Sequence, residues 1–344
     1  MKTQEPDTDT NDPAVDGATM RAIVQTSYGS ADELRLGEVP RPSIAADEVL
    51  VRVAGAGLDR GTWHLMAGLP YVVRLGFGLR RPKTPVPGLD LAGTVVAIGS
   101  DVTRFEVGDE VFGIGRGSFA EFAAAKESKL ARMPSNLSFD RAAAVAVSGL
   151  TALQAVRDVA RIAADQRVLI IGASGGVGTF AVQLAKAHGA HVTGVCSAPK
   201  ADLVRSLGAD AVIDYRTEDL DARGASYDAI LDIGGNTPLG RLRKLLAPSG
   251  TLVIVGGEEG GRWIGGVDRQ LRAMAISPFV SQRLTSFISK ETHADLDTLR
   301  QSIEAGTLTV AVEQTFALHA APQAMRRLER GEVRGKVVIT PTDA

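Results

Sequence analysis

The stretch RVLIIGASGGVG, Arg167 to Gly178, carries glycine at 172, 175, 176 and 178. Glycines at that spacing after an apolar run let backbone come close to a pyrophosphate. Gly175 gives the close approach, and Gly178 lets the following helix pack tightly on the strand. Free N–H groups at the helix start attract the phosphates. Ala173, Ser174, Gly175, Gly176, Val177 and Gly178 are therefore candidate cofactor contacts. Ala173 replaces the first glycine of the usual pattern, and a tight turn without a ligand is the competing reading.

Dinucleotide sites that take NAD place an acid on the ribose 2′-hydroxyl about twenty residues after the glycines. Here that position is Cys196-Ser197, with no carboxylate. An acid would repel a 2′-phosphate, whereas the hydroxyl of Ser197 and the cation of Lys200 would welcome one. Tyr215 follows in D-Y-R, at the end of the next expected strand. The expected cofactor is NADPH. Each residue also has a plain role: Ser197 as a helix cap, Lys200 as a solvated first-turn residue, Tyr215 as packing. Gly234 and Gly256 follow two further strands, where backbone would pass near the nicotinamide end, or where a simple turn would serve.

These residues need a parallel sheet to hold them. From Asp140 the pattern is helical, then strands alternate with helices: 167–171, the fingerprint helix, 190–196, helix 200–207, Ala211–Ile213, Ala229–Asp232, helix Leu239–Leu246 and Thr251–Val255. Such alternation implies a doubly wound α/β domain, placed at 146–289. Residues 20–145 show short strands broken by Gly, Pro and Asp, which suggests a β-rich, barrel-like unit. Residues 290–344, with helices Asp295–Ala305 and Pro322–Leu328 and strand Lys336–Thr340, are expected to return to it. Residues 1–19 hold five acids against one lysine and almost no large apolar side chain, and are expected to be a disordered tail.

Composition narrows the function further. The chain has 344 residues and a formal net charge of −2, which does not favour nucleic acid as partner. The compact basic cluster Arg80, Arg81 and Lys83 reads as a solvated loop. A single cysteine, Cys196, rules out an internal disulfide and a four-cysteine zinc site, and it suits a reducing cytoplasm. No run of 18 apolar residues exists, so no membrane partner is expected.

The motifs P-G-L-D-L-A-G-T-V (87–95), V-G-D-E-V-F-G (107–113), S-G-L-T-A (148–152), A-S-G-G-V-G (173–178) and G-K-V-V (335–338) together resemble the medium-chain dehydrogenase/reductase superfamily, in its zinc-free quinone oxidoreductase-like branch. The resemblance implies a GroES-like catalytic domain, an NADPH-binding Rossmann domain, a cleft between them and a homodimer. Zinc members carry Gly-His-Glu where this chain has Gly88-Leu89-Asp90, and a cysteine ligand in the segment corresponding to Gly57–Thr62, where this chain has none. The five histidines show no ligand spacing, and His64 alone lies near the expected cleft. Thr151 resembles the family position near nicotinamide and pyrophosphate, with an N-cap as its plain role. NADPH-dependent relatives bring a similar Ser, Lys and Tyr onto the 2′-phosphate.

Asp59 stands where relatives often carry Asn facing the nicotinamide. Ionised, it would stabilise the positive charge left by hydride loss; protonated, it would donate to a developing enolate or quinol oxygen. Leu58, Trp63 and Met66 are the candidate apolar wall for raising its pKa, and a turn with Gly61 is the plain alternative. Tyr71 is a second proton-donor candidate. Trp263 and Phe287 suit a pocket wall, core or dimer contact, and loops 59–83 and 258–290 supply the pocket walls. The expected activity is metal-free hydride transfer from NADPH to a quinone or α,β-unsaturated carbonyl. The alternatives are a zinc-independent alcohol or aldehyde dehydrogenase and a cofactor-binding regulatory protein with little turnover.

Overall fold

The computed structural model describes residues 18–341, apart from 222, 223, 225, 236 and 258–260. Most of the acidic tail lies outside the described residues, and Thr19 already belongs to the first strand. In chain order the strands are β1 (Thr19–Val24), β2 (Arg35–Pro40), β3 (Glu48–Leu58), β4 (Asp90–Ile98), β5 (Glu110–Ile114), β6 (Phe122–Lys126), β7 (Leu130–Arg132), β8 (Arg167–Ile171), β9 (His191–Cys196), β10 (Ala211–Asp214), β11 (Tyr227–Asp232), β12 (Leu246–Ile254), β13 (Arg283–Ser286), β14 (Val312–Ala317) and β15 (Lys336–Thr340). The helices are α1 (Arg60–Ala67), α2 (Arg74–Phe77), α3 (Phe139–Ala142), α4 (Ala146–Gln154), α5 (Gly176–Ala187), α6 (Ala201–Ser206), α7 (Leu239–Leu245), α8 (Val267–Ile276), α9 (His293–Glu304) and α10 (Ala321–Glu329).

Six parallel strands form one sheet in the order β10-β9-β8-β11-β12-β13. With β8 as the first strand, this is the doubly wound order, and the reversal point falls between β8 and β11. Val168 to Ile171 are buried, as a central parallel strand covered on both faces requires. A second sheet runs β14-β15-β3-β4-β5-β7, with β6 paired to β3; β1 and β2 form a separate ribbon. Its interior is apolar, with Val49, Val51, Val53, Leu91, Val95, Val111 and Ile339 in one cluster. The fold is α/β: a parallel doubly wound sheet beside a β-rich unit. The return segment supplies β15, which pairs with β3.

Thr251–Val255 lies inside the sheet, because β12 runs between β11 and β13. The edges are β10 and β13. The sequence reading assigned no element to 256–289, where α8 and β13 lie. Of the α8 side chains only Ala273 is buried, and the apolar stripe Val267, Leu271 and Met274 is left largely uncovered by the rest of the fold; β13 is only four residues long. Among the described residues no helix is long and apolar enough to cross a membrane.

Candidate functional site

The glycine loop leaves the carboxyl end of β8 and turns at Gly172, whose φ of 85° suits glycine. Gly178 sits where a Cβ would lie 2.2 Å from the Gly172 carbonyl oxygen, so the start of α5 packs directly on the loop. Gly175 caps α5 and faces open space on its Cβ side, with only the Gly172 carbonyl oxygen, at 3.5 Å, within 4 Å. That open cradle beside the N–H groups of the first α5 turn, which have no intrahelical acceptors, fits a pyrophosphate. Ala173 turns its methyl inward against Gly194 of β9 and spends its N–H on the Val195 carbonyl, so it shapes the loop rather than offering a donor to a ligand. Ser174 is buried, and its carbonyl accepts from Gly335 N at 2.8 Å. Val177 is half-buried.

Beyond β9, Ser197 is buried and its hydroxyl makes no cap hydrogen bond, although it precedes the 3-10 turn Ala198–Lys200. Lys200 is half-buried, and its Nζ donates to the carbonyls of Gly331 (2.6 Å) and Val333 (2.7 Å). An ammonium has three donors, so one remains. Burial lowers the Lys200 pKa; Glu313 opposes that, while Arg216 and Arg334 add to it. Tyr215 is exposed rather than packed. Neither Arg216 nor Arg334 stands out in the sequence as a cofactor contact. Arg216 stands in the quoted D-Y-R, but Arg334 reaches this end only because the return segment folds back. Asp214, opposite Cys196 on β10, accepts from Arg216 N and Thr217 Oγ1.

At the reversal point, Gly234 N donates to the Ile171 carbonyl, and Gly256 N to that of Asp232. The loops after β8, β11 and β12 therefore meet. Arg269 of α8 holds two of them: it donates to the carbonyls of Thr237 (2.7 Å) and Gly256 (3.2 Å), and its Nη1 lies 2.6 Å from Asp232 Oδ2. That ion contact is close but not aligned as a hydrogen bond, and Asp232 Oδ2 and Arg269 Nε have no aligned partner. Burial raises the Asp232 carboxyl, against the pull of Arg269 and the Gly235 N–H. Neither residue was singled out in the sequence.

Asp59 is the N-cap of α1, with Oδ1 accepting from Thr62 N at 2.7 Å. This cap takes the place of the plain alternative, a turn with Gly61. Its Oδ2 is buried and has no hydrogen-bond partner. Leu58 and Met66 are buried, but Trp63 turns its indole N–H to Glu329 of α10. Beside Asp59 lies a second buried carboxyl, Asp90, which accepts from Val147 N (2.7 Å) and Lys336 Nζ (2.9 Å). Burial pushes Asp90 up to about 6; Lys336 opposes that and the neighbouring Asp59 charge adds to it. Lys336 also lies beside the loop, with its Cδ 2.9 Å from where a Gly176 Cβ would sit. The Asp59 end and the glycine loop are thus joined by one ion pair.

Thr151 does not open a helix. It lies inside α4, where its hydroxyl donates to the Val147 carbonyl (2.7 Å) and can accept from Ser289 Oγ (3.2 Å). Back-bonding to the residue four positions earlier lets a threonine sit there. Tyr71 starts a 3-10 turn and meets Trp263 edge-on at 5.3 Å, with Arg74 over its ring. Trp263 is largely exposed, so it is not core, whereas Phe287 packs on the main apolar cluster. His64 Nδ1 bonds the Leu69 carbonyl and closes the turn after α1.

Among the described residues no three His, Cys, Asp or Glu side chains could hold a metal ion. Asp90, the one carboxylate of Gly88-Leu89-Asp90, is committed to Lys336. This donor set does not fit a catalytic zinc.

Residues 45–135 match the alcohol dehydrogenase GroES-like domain model, and residues 207–339 match the zinc-binding dehydrogenase model. The chain is 31% identical over 342 residues to the chloroplast envelope quinone oxidoreductase homolog of Arabidopsis thaliana, covering 94% of this chain and 99% of that one. It is 34% identical over 353 residues to the mitochondrial NAD(P)H oxidoreductase RTN4IP1 of Homo sapiens, covering 93% and 89%. The crystal structure of Escherichia coli quinone oxidoreductase complexed with NADPH superposes with a TM-score of 0.80 at 27% identity, covering 94% of this chain and all of that one.

Proposed function

Because the chain belongs to the medium-chain dehydrogenase/reductase superfamily, as an oxidoreductase of the quinone oxidoreductase type with a nicotinamide cofactor, we propose that it reduces quinones or α,β-unsaturated carbonyls with NADPH and without a metal. The observation that carries this reading is the end of β9. There a Ser197 hydroxyl that caps no helix, a Lys200 ammonium with a donor to spare, and the charges of Arg216 and Arg334 gather at a strand end, Cys196-Ser197, that carries no carboxylate itself, with Glu313 and Asp214 as the acids nearby. That set suits a 2′-phosphate and disfavours a bare ribose hydroxyl. The human relative's name, NAD(P)H oxidoreductase, allows either nicotinamide cofactor, and the Escherichia coli structure is complexed with NADPH, which supports this choice.

NADPH, when bound, supplies the hydride. The residues of this chain supply the setting. The glycine loop and the first α5 turn hold the pyrophosphate. The loops at Gly234 and Gly256, fixed by Arg269 and Asp232, floor the other end, and Thr151 lies on α4 with its hydroxyl spent on Val147 and close to Ser289. Asp59 keeps Oδ1 for the α1 cap and leaves Oδ2 free, either to balance positive charge or to hold a proton for the reduced oxygen. Tyr71 is the second proton-donor candidate. Quinones and enones accept hydride without a Lewis acid, which suits a site lacking metal donors.

A homodimer formed across β13 is part of the proposal. Among the described residues β13 is an edge strand of its sheet, and Leu271, Met274, Phe279 and Ile288 near it are exposed. The test of the function is NADPH oxidation with 1,4-quinones, enones and simple aldehydes in parallel. Turnover of the first two classes is expected. Turnover of aldehydes alone favours the alcohol dehydrogenase reading, and binding without turnover favours a regulatory protein.

A further inference from the structure

The basic cluster Arg80, Arg81 and Lys83 sits in a loop that also displays large apolar side chains outward. Leu75 and Leu79 are 73% and 68% exposed, with Val72 and Phe77 also exposed. Trp263, 75% exposed, joins the same surface, because Tyr71 N and Val72 N donate to the carbonyls of Arg262 and Trp263. Val72 and Leu75 are three residues apart on consecutive helical turns, and so share a face.

The loop is built, not loose. Lys83 N donates to the Phe77 carbonyl, Tyr28 Oη to the Gly78 carbonyl (2.7 Å), and Lys83 Nζ to the Gly76 carbonyl (2.9 Å). The Arg74 guanidinium donates to the Gly68 carbonyl and lies 4.5 Å from the Tyr28 ring and 4.6 Å from the Tyr71 ring. A soluble protein rarely holds several large apolar groups outward on an ordered frame unless something covers them. Within residues 60–89 the charge is one-sided, while Glu258 and Glu259, outside the described residues, precede Arg262 in the chain. Residues 60–89 contain five cations and no Asp or Glu, and Arg80, Arg81, Lys83 and Arg262 are exposed.

We propose that this surface docks on an anionic phospholipid bilayer, with Leu75, Phe77, Leu79 and Trp263 entering the interface and Arg80, Arg81, Lys83 and Arg262 meeting lipid phosphates. Apolar tips ringed by cations are the chemistry of interfacial attachment. A second copy of this chain fits less well, since a two-fold contact would set these cations against themselves. The net charge of −2 gives the rest of the molecule no general attraction to an anionic surface, so attachment depends on this patch.

The test is co-sedimentation of the full chain with vesicles of phosphatidylcholine alone and of equal parts phosphatidylcholine and phosphatidylglycerol. Binding is expected to the second only, and to fall as salt rises. Arg80→Glu with Arg81→Glu should lower the partition coefficient by more than about tenfold, at roughly fivefold per cation. Leu75→Ser with Leu79→Ser should lower it as strongly, whereas Lys244→Glu with Arg35→Glu, equal in charge change but elsewhere, should not. Tryptophan emission of the unmodified protein should shift to the blue on anionic vesicles, which tests the idea even if a variant folds poorly. Several results would overturn the proposal: no binding to anionic vesicles, equal binding to both, or patch variants that bind like the unmodified chain. So would loss of self-association in the patch variants without any vesicle binding, or binding to polyglutamate but to no vesicle.

Discussion

Lys336 and Asp90 lie 246 residues apart in the chain and share a 2.9 Å hydrogen bond with both side chains out of solvent. Lys336 opens β15 beside the glycine loop, and Asp90 opens β4 beside Asp59. Removing one partner leaves the other charge buried, which costs about 3–5 kcal/mol. Asp90 is raised to about 6 by burial, against Lys336 and with Asp59. A carboxyl whose folded pKa is raised contributes stability below its unfolded value, and that contribution is lost as pH rises through the folded one. Thermal midpoints should therefore carry a falling component between about pH 4 and pH 6 that Asp90→Asn removes. In Lys336→Met the same fall should extend above pH 6, because the opposing cation is gone. Unfolding scans against pH for the three proteins check this.

Lys200→Ala should weaken NADPH by about 10- to 100-fold, the worth of a charge-assisted hydrogen bond, and leave NADH nearly unchanged. Arg334→Ala should act in the same direction. Fluorescence titration with both cofactors reads the difference.

Arg269→Met should destabilise the fold by about 3–5 kcal/mol by leaving Asp232 buried without its cation. Arg269→Lys should recover part of that loss, since a lysine reaches Asp232 but cannot also bond both loop carbonyls. Denaturant midpoints, read with unchanged slopes, give the comparison.

Much of this architecture was legible in the sequence because it is local. Gly172 to Gly178, the β8 run before them and the α5 face after them lie within about twenty residues, and the Cys196-Ser197 ending of β9 needs only a count from the glycines. The pairings that build the site are not local. Asp90 and Lys336 each stood in a quoted motif, yet nothing in either motif says that they meet. Arg334 reaches the end of β9 only through the return of the chain, and Arg269 works from a helix whose apolar side chains face outward. The N-cap role offered for Thr151 fails because the helix runs unbroken through Ser148 and Gly149, from Ala146.

Activity should survive prolonged dialysis against EDTA, and metal analysis should find well under one zinc per chain. Stoichiometric zinc, with activity lost on its removal, would mean that the donor set had been misread.

Asp59→Asn keeps an N-cap for α1, because Asn caps as well as Asp. It should retain NADPH binding and lose less than about tenfold in quinone turnover, a barrier change below roughly 1.4 kcal/mol. Tyr71→Phe should behave alike. A loss of a thousandfold or more in kcat for Asp59→Asn, with the fold intact, would make Asp59 Oδ2 an essential proton carrier.

The most direct measurement is kcat/KM of the unmodified chain for NADPH and for NADH, with one 1,4-quinone held saturating. The cation cluster at the end of β9 predicts a preference for NADPH of at least about tenfold, the lower bound for one charge-assisted contact to the 2′-phosphate. Equal efficiency, or a preference for NADH, would contradict it.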